Sequence, residues 1–156
     1  IMNLPYNMDQ CQWNGRGPVE NYSDRKLSQN VGIYKSTADE LFFPYVRPQE
    51  TGTMSDLRWW QQTDGGGFGF RIESDKLFSA SALHYDLLTL DEGEEKHQRH
   101  SQSVEKSKYT NMFIDLVQEG VGGVNSWDAD GRARKGHRVE YKDYTFKFRL
   151  SPKTVY

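Results

Sequence analysis

A β-hairpin pattern in the middle of the chain restricts the fold more than any other stretch. Two strand-like runs, residues 55–63 and 68–73, flank an Asp64-Gly65 pair. Asp-Gly is one of the stronger hairpin signals because glycine reaches the positive φ angles that tight turns need. The glycines after Asp64 could also suggest a phosphate-binding loop, but the spacing of such loops and their following helix are missing. The stretch therefore predicts two antiparallel strands.

Strand-forming residues recur along the rest of the chain. Alternating or aromatic-rich runs predict strands, or in the third case a strand or loop, at residues 9–13, 40–47, 78–85, 110–117 and 138–150. The last run alternates aromatic and polar residues, which indicates a strand with one buried face. Residues 14–18 are predicted to end the first strand in a loop, residues 26–36 carry only a weak pattern, and residues 86–96 suggest one short helix.

The composition indicates what kind of core these strands build. Hydrophobic residues make up only 35% of the chain, whereas aromatic residues reach 13%. The core must then depend on Trp, Tyr and Phe, and such cores favour sheets over helices. Short strands separated by Gly and Pro, with no internal repeat or linker, predict a single domain over residues 1–156. We expect an all-β, antiparallel β-sandwich with at most one short helix.

Charge and cysteine content narrow the possible partners. Lys and Arg number 20 against 22 Asp and Glu, a net charge of −2, so no general attraction to nucleic acid or an acidic membrane is expected. No apolar run reaches membrane-spanning length, and no signal peptide is visible, which leaves a cytoplasmic or periplasmic location open. Cys11 is the only cysteine, so no internal disulfide is expected, and no Cys/His spacing suggests zinc. The chain begins at Ile1, as expected of a piece of a longer protein.

A glycine-rich stretch at residues 118–127 is the strongest candidate for function. Gly120, Gly122 and Gly123 permit positive φ, so an arriving strand can turn sharply there. The stretch ends at Trp127, which the turn would present at a rim. A large flat apolar ring held in this way is a platform for a sugar or another ring. The alternative is that Trp127 closes the end of the sandwich core.

Two other groups of residues invite a functional interpretation. Residues 20–25 combine an aromatic centre with Asn, Ser and Asp side chains, which indicates either a hydrogen-bonded loop or a ligand contact. His84, His97 and His100 suggest a metal site. No carboxylate or thiolate stands at a fixed ligand spacing from them, however, which favours solvated loop histidines. No metal ligand is therefore predicted.

Several motifs, taken in order, resemble the C-terminal part of family-two β-galactosidases. The two longest are Gly-Arg-Gly-Pro-Val-Glu-Asn-Tyr-Ser-Asp-Arg at 15–25 and Gln-Glu-Gly-Val-Gly-Gly-Val-Asn-Ser-Trp at 118–127. Shorter ones lie at 44–50, 56–59 and 78–80, and residues 144–152 are similar to that family's last strand. The resemblance implies an antiparallel supersandwich related in fold to galactose mutarotase, of which this chain covers about the second half. It also implies that the remaining domains of the same polypeptide are partners, in an enzyme that commonly forms homo-oligomers.

The resemblance assigns the bond-breaking chemistry to another part of the polypeptide. Retaining glycosidases use two carboxylates, and in this family both sit on a (β/α)-barrel domain that is not part of this sequence. No catalytic residue is therefore predicted here. Glu20, Asp24, Glu50 and Asp56 lie within matching motifs, but their loop contexts suggest structural hydrogen bonds. No cofactor is expected in this chain, since the family's Mg and Na ions belong to other domains.

Trp127 is the residue that the resemblance assigns to the substrate. The family's matching tryptophan reaches into the active site and forms an aromatic wall for the sugar. Trp127, with its neighbours Asn125 and Ser126, is thus expected to contact a terminal β-D-galactoside such as lactose. Val124 departs from the family, which usually has an acidic residue there, so a polar contact from this position is in doubt.

Two alternatives remain open from the sequence. A stand-alone carbohydrate-binding module would use the same kind of aromatic platform on a β-sandwich. A mutarotase-like epimerase would need a His acid and a Glu base at the anomeric hydroxyl, and His84 or His100 with Glu50 are the candidates.

Overall fold

The computed structural model describes residues 1–91, 99–125 and 131–153 of the chain. These residues form seven strands and two short helices: β1 (Met2–Pro5), β2 (Gln10–Gly17), β3 (Asn30–Thr37), α1 (Ala38–Leu41), β4 (Met54–Thr63), β5 (Gly69–Leu83), α2 (Leu87–Leu90), β6 (Tyr109–Asp115) and β7 (Phe148–Lys153). Short 3₁₀ helices cover Ser101–Ser103 and Lys135–His137. The strands pair antiparallel in the order β1-β6-β5-β4-β2-β3, and β7 pairs with β5.

The predicted hairpin is confirmed as β4 and β5. In its turn, Asp64 Oδ1 accepts hydrogen bonds from the backbone amides of Gly66 at 2.8 Å and Phe68 at 3.0 Å. Gly67 has a φ of 84°, a conformation that glycine adopts without steric cost. All the residues that shape this turn are neighbours in the sequence. The turn is therefore a self-contained unit.

β5 is the longest strand among the described residues, and it pairs with β4, β6 and β7. Its first part, residues 69–74, pairs with β7, and its last part, residues 79–83, pairs with β6. β4 also pairs with β5, but with register shifts between Met54 and Trp59. Asp56, inside this irregular stretch, has a φ of 53°, which Asp tolerates better than most residues. Such bulges bend a strand and increase the local twist of its sheet.

The core is aromatic, as the composition predicts. Trp13 of β2 and Trp60 of β4 stack with ring centroids 5.4 Å apart, and both are fully buried. One apolar cluster joins them to Ile72 of β5, Met112 of β6 and Leu4 of β1. Residues from β1, at one end of the strand order, and from β2, next to the other end, thus share one core, as in a β-sandwich. The prediction of an all-β, antiparallel sandwich is confirmed, and its relation to galactose mutarotase stays a prediction.

The predicted loop at residues 14–18 is wrong, because β2 continues through Gly17. Its glycines leave room for side chains of the neighbouring strands. A Cβ at Gly15 would lie 2.5 Å from the side chain of Leu57, and one at Gly17 would lie 2.8 Å from the ring of Tyr34. β3 follows in a region with a weak sequence pattern, because this edge strand leaves apolar side chains exposed.

Two strand predictions near proline and aromatic residues are also wrong. The run at 40–47 does not form a strand, because a capping box begins α1, and the last two residues of this helix, Glu40 and Leu41, belong to the run. The Glu40 amide donates to Thr37 Oγ1 at 3.2 Å, and the Thr37 amide donates to the Glu40 carboxylate at 3.0 Å. In the run at 138–150 only the last three residues belong to a strand, β7, and Phe148 is 46% exposed where a buried face was expected.

The helices are short and lie between strands. Two four-residue helices occur within the described residues, where at most one short helix was expected. α2 covers only part of the predicted helix at 86–96, and residues 92–98 lie outside the described residues. Within the described ranges, the structure contains no helix with the length and apolar character to cross a membrane.

Candidate functional site

The described part of the glycine-rich stretch, residues 118–125, follows β6 and is called the glycine loop below. Asp24, from the segment between β2 and β3, reaches this loop with both carboxylate oxygens. Oδ1 accepts a hydrogen bond from the Val121 amide at 3.2 Å, and Oδ2 accepts one from the Gly122 amide at 2.8 Å. The Gly120 amide donates to the carbonyl oxygen of His137 at 2.8 Å. The loop is therefore held by Asp24 and His137, which lie far from each other in the sequence.

The glycines of this loop serve a purpose other than the one expected. Neither Gly120 nor Gly122 has a positive φ, so the predicted left-handed turn is not found at these positions. A Cβ at Gly120 would lie 2.5 Å from Asp24 Oδ2, and a Cβ at Gly122 would lie 3.2 Å from the same atom. The missing side chains let the carboxylate reach the backbone amides. Glycine is needed here for close approach.

The segment that carries Asp24 is a hydrogen-bonded loop, one of the two interpretations of residues 20–25. The Arg25 amide donates to the Tyr22 carbonyl at 2.9 Å, and the Tyr22 amide donates back to the Arg25 carbonyl at 3.4 Å. Asn21 is fully buried, and its Oδ1 accepts a hydrogen bond from the Ser55 amide at 3.0 Å. These bonds close a turn around Asp24 and join it to β4.

Glu20 links the segment before Asp24 to the motif at 44–50. Its carboxylate accepts hydrogen bonds from the Arg25 guanidinium at 2.5 Å, from the Gly52 amide at 2.7 Å and from the Tyr45 hydroxyl. A carboxylate with this many donors is satisfied by the protein itself. The structure thus confirms the structural role expected for Glu20.

Glu50 has a similar structural environment. Its carboxylate accepts hydrogen bonds from the Thr53 hydroxyl at 2.8 Å and the Tyr22 hydroxyl at 3.4 Å. Although part of the residue is exposed, desolvation of the inward-turned carboxylate raises the pKa of Glu50, and the Thr53 hydrogen bond opposes this rise. The charge of Asp115 raises it further. The raised pKa follows from this structural environment and assigns Glu50 no catalytic role by itself, because it opposes a nucleophile but suits a general acid.

Asp56 of β4 forms two ion pairs, with one residue before Asp24 in the sequence and one after it. Its Oδ2 lies 2.6 Å from Arg16 Nε, and its Oδ1 lies 2.7 Å from Lys26 Nζ. Burial by itself raises the pKa of Asp56, but hydrogen bonds and charges from Lys26 and Arg16 outweigh it and hold this pKa below its usual value. No sequence pattern indicates these pairings, since their members are 40 and 30 residues apart. Because Lys26 follows Asp24 closely, the pair also secures the segment that reaches the glycine loop.

The two histidines that the epimerase alternative names, His84 and His100, bond to groups other than Glu50. His84 is buried, so the interpretation as a solvated loop residue is wrong for it, and its Nδ1 lies 2.9 Å from the Asp39 carboxylate. His100 contacts a backbone carbonyl, while Glu50 bonds elsewhere. Over the ranges that the structure describes, no three His, Cys, Asp or Glu side chains are placed to hold a metal ion. His97 lies outside these ranges.

Of the three residues predicted to contact substrate, the structure describes only Asn125. This exposed residue stands at the end of the glycine loop, next to Val124, which is 73% exposed. Ser126 and Trp127 lie outside the described residues. The roles predicted for all three stay predictions.

The three described tryptophans have other surroundings. Trp13 and Trp60 belong to the core. Trp59 is partly exposed, but the Arg71 guanidinium lies 4.2 Å from the centre of its ring in a cation–π contact. None of these three is a bare aromatic surface, so among the tryptophans only Trp127 is left as a candidate carbohydrate platform.

Comparison with known families places the chain among β-galactosidases. A family model described as "Beta galactosidase small chain" matches residues 1–150. The match therefore covers the whole sheet up to the first residues of β7.

Individual relatives are named as β-galactosidases and are much longer than this chain. The chain is 33% identical to a Beta-galactosidase of Priestia megaterium over 144 residues, which is 92% of this chain and 13% of that protein. It is 34% identical to Beta-galactosidase BgaC of Bifidobacterium adolescentis over 127 residues, 80% of this chain and 12% of that protein. It is 36% identical to a Beta-galactosidase of Vibrio cholerae over 124 residues, 80% of this chain and 11% of that protein. The chain thus spans about one eighth of the length of these relatives.

Proposed function

Since this chain belongs to the β-galactosidase small-chain family, we propose that it is a non-catalytic part of a β-galactosidase that completes the pocket for a terminal β-D-galactoside. The remaining domains of the same polypeptide are its partners and supply the catalytic carboxylates. Lactose is a representative substrate. The relatives' length supports this division, because this chain corresponds to only 13% of the Priestia megaterium protein.

One observation carries the proposal. The glycine loop is held by two consecutive backbone amides on the Asp24 carboxylate, and the chain runs from this loop directly to Trp127. A loop fixed in this way holds its described residues, up to Asn125, in a defined position. Substrate-binding groups need that precision, because a site that is loose by about 1 Å loses much of its effect.

The surroundings of the acids support a binding role over a catalytic one. Retaining glycosidases place a nucleophile and an acid about 5–5.5 Å apart, and both face the sugar. In this chain Glu20 is surrounded by protein donors, and Asp56 is paired with Arg16 and Lys26. Such groups stabilise the fold and leave little capacity to attack or protonate a substrate.

Trp127 is the residue proposed to meet the sugar. The face of galactose that carries C–H bonds is apolar and packs on an indole ring, with Asn125 and Ser126 beside it. A well-oriented aromatic contact contributes about 1 kcal/mol beyond burial. The same ring excludes water from the pocket in which the other domains act.

The test uses the full-length β-galactosidase that contains this chain. Trp127→Ala should lower kcat/KM for lactose and aryl galactosides about fivefold, and Trp127→Phe should restore part of the loss because it keeps an aromatic face. Trp59→Ala is the matched control, since it removes a partly exposed tryptophan from the sheet instead. If Trp127→Ala has the kinetics of the unmodified enzyme, the proposal is wrong.

A further inference from the structure

We infer that Asp24 is a positioning residue for the proposed substrate site: its carboxylate fixes the glycine loop, which carries Asn125 and continues in the sequence towards Trp127. This inference rests on the proposed function. It assigns a role in substrate affinity to a residue that lies about 100 positions upstream of the indole. Asp24 itself need not touch the sugar.

The first argument is the geometry of the contact. Val121 and Gly122 present adjacent amides, and each donates to a different oxygen of the Asp24 carboxylate, at 3.2 and 2.8 Å. A two-point contact fixes both the position and the orientation of the loop backbone. Hydrogen bonds to an ionised acceptor are roughly twice as strong as those between neutral groups.

The second argument is that the missing side chain of Gly120 lets the Asp24 carboxylate approach the loop backbone closely. A Cβ at Gly120 would lie 2.5 Å from Asp24 Oδ2 and 2.9 Å from His137 Cβ. The loop backbone thus lies against both segments at once. The sequence of the loop and the reach of Asp24 fit each other.

The third argument is that Asp24 stands on a rigid support. Its two C-terminal neighbours are both ion-paired, Arg25 to Glu20 at 2.5 Å and Lys26 to Asp56 at 2.7 Å. The reciprocal backbone bonds of Tyr22 and Arg25 close the turn. A carboxylate on a restrained segment can hold a loop in position at a lower entropy cost than one on a free segment.

The test compares Asp24→Asn with Asp64→Asn in the full-length enzyme. Asp64 also accepts hydrogen bonds from two backbone amides of a glycine-rich turn, at 2.8 and 3.0 Å, but both go to its Oδ1 and the turn is that of the β4–β5 hairpin. Asn keeps the shape of the side chain and loses one acceptor. We expect Asp24→Asn to raise KM for an aryl galactoside about threefold with a smaller change in kcat, and Asp64→Asn to change KM less than about 1.5-fold.

Two further measurements separate positioning from general destabilisation. Amide hydrogen exchange of Val121 and Gly122 should accelerate in Asp24→Asn while the rest of the sheet keeps its protection. Gly122→Ala is a milder variant that retains Asp24, since its Cβ would lie 3.2 Å from Oδ2, and it should raise KM by a smaller factor. It also keeps the test decisive if Asp24→Asn fails to fold.

The outcomes distinguish this inference from the proposed function. If Asp24→Asn and Gly122→Ala leave KM unchanged while Trp127→Ala raises it, the inference is overturned and the proposed function stands. If Trp127→Ala has no effect on the kinetics, the proposed function fails and the inference fails with it.

Discussion

The molecule contains two glycine-rich turns in which an aspartate carboxylate accepts hydrogen bonds from two backbone amides, and the two differ in where that aspartate comes from. In the β4–β5 hairpin, Asp64 accepts from amides two and four residues ahead of it. In the glycine loop, Asp24 accepts from amides 97 and 98 residues ahead. The hairpin turn is complete as soon as its own strands pair. The glycine loop acquires its shape only when the rest of the fold brings Asp24 to it.

The glycines of the two turns also answer different physical needs. Gly67 of the hairpin turn has a φ of 84°, and Gly65 has nothing within 4 Å of where a Cβ would stand. Gly120 has no unusual φ, but a Cβ there would meet Asp24 and His137. A local turn needs glycine for its backbone angles, whereas a loop held by tertiary contacts needs it for space. The position of the second kind of loop therefore depends on residues that are far away in the sequence.

The largest effect on stability is expected in the hairpin. A Cβ in Gly69→Ala would lie 2.0 Å from the Gln62 carbonyl oxygen and 2.7 Å from Thr63 Cα, and these backbone atoms belong to the paired strand. We expect a loss of about 3 kcal/mol in the free energy of unfolding, measured by urea denaturation. Gly65→Ala is the control, and it should change stability by less than about 1 kcal/mol. Equal stability of the two variants would contradict this view of the turn.

A smaller and more local effect is expected in the glycine loop. The atoms that a Cβ in Gly120→Ala would meet, at 2.5 and 2.9 Å, belong to the side chains of Asp24 and His137, which can shift. The free energy of unfolding should fall by about 1–2 kcal/mol. Amide exchange should accelerate at Val121 and Gly122 and stay unchanged in the hairpin turn. Gly136→Ala, where nothing lies within 4 Å, is the matched control, and faster exchange in both turns would count against the distinction.

The third prediction concerns pH and the support of Asp24. The folded-state pKa of Asp56 is lowered, so its ion pairs with Arg16 and Lys26 stabilise the fold above the unfolded-state pKa of about 3.9 and are lost as the pH falls through the folded-state value. Asp56→Asn should cost about 1–2 kcal/mol at pH 7 and nearly nothing at the lowest pH. Denaturation curves between pH 7 and pH 3 measure this. A cost that is independent of pH would show that these ion pairs do not stabilise the fold.

The same contrast explains what the sequence could predict of the fold. The hairpin, β6 and the aromatic core follow from turn residues and alternating patterns, which are local signals. The predicted strand at 9–13 is shorter than β2 because Gly15 and Gly17 look like strand breakers. In the structure these glycines leave space for the side chains of Leu57 and Tyr34. The run at 40–47 has strand formers, but a capping box with Thr37 starts a helix there. These errors arise where a tertiary contact or a cap overrides propensity.

In the candidate site, too, local sequence signals predict some features and miss the contacts between distant residues. The glycine-rich stretch is visible in the sequence, and Asp24 lies within a recognisable motif. Their contact is not predictable from spacing, because nothing local marks a carboxylate as the partner of amides 97 residues away. The buried environment of His84, which bonds Asp39 across 45 residues, was missed for the same reason.

The most direct test of the account is a double-mutant cycle between Asp24→Asn and Trp127→Ala, measured as kcat/KM of the full-length enzyme for an aryl galactoside. If Asp24 acts through Trp127, Asp24→Asn should lower kcat/KM about threefold when Trp127 is present and less than about 1.5-fold when it is replaced. An equal loss in both backgrounds would contradict the account, because Asp24 would then act independently of Trp127.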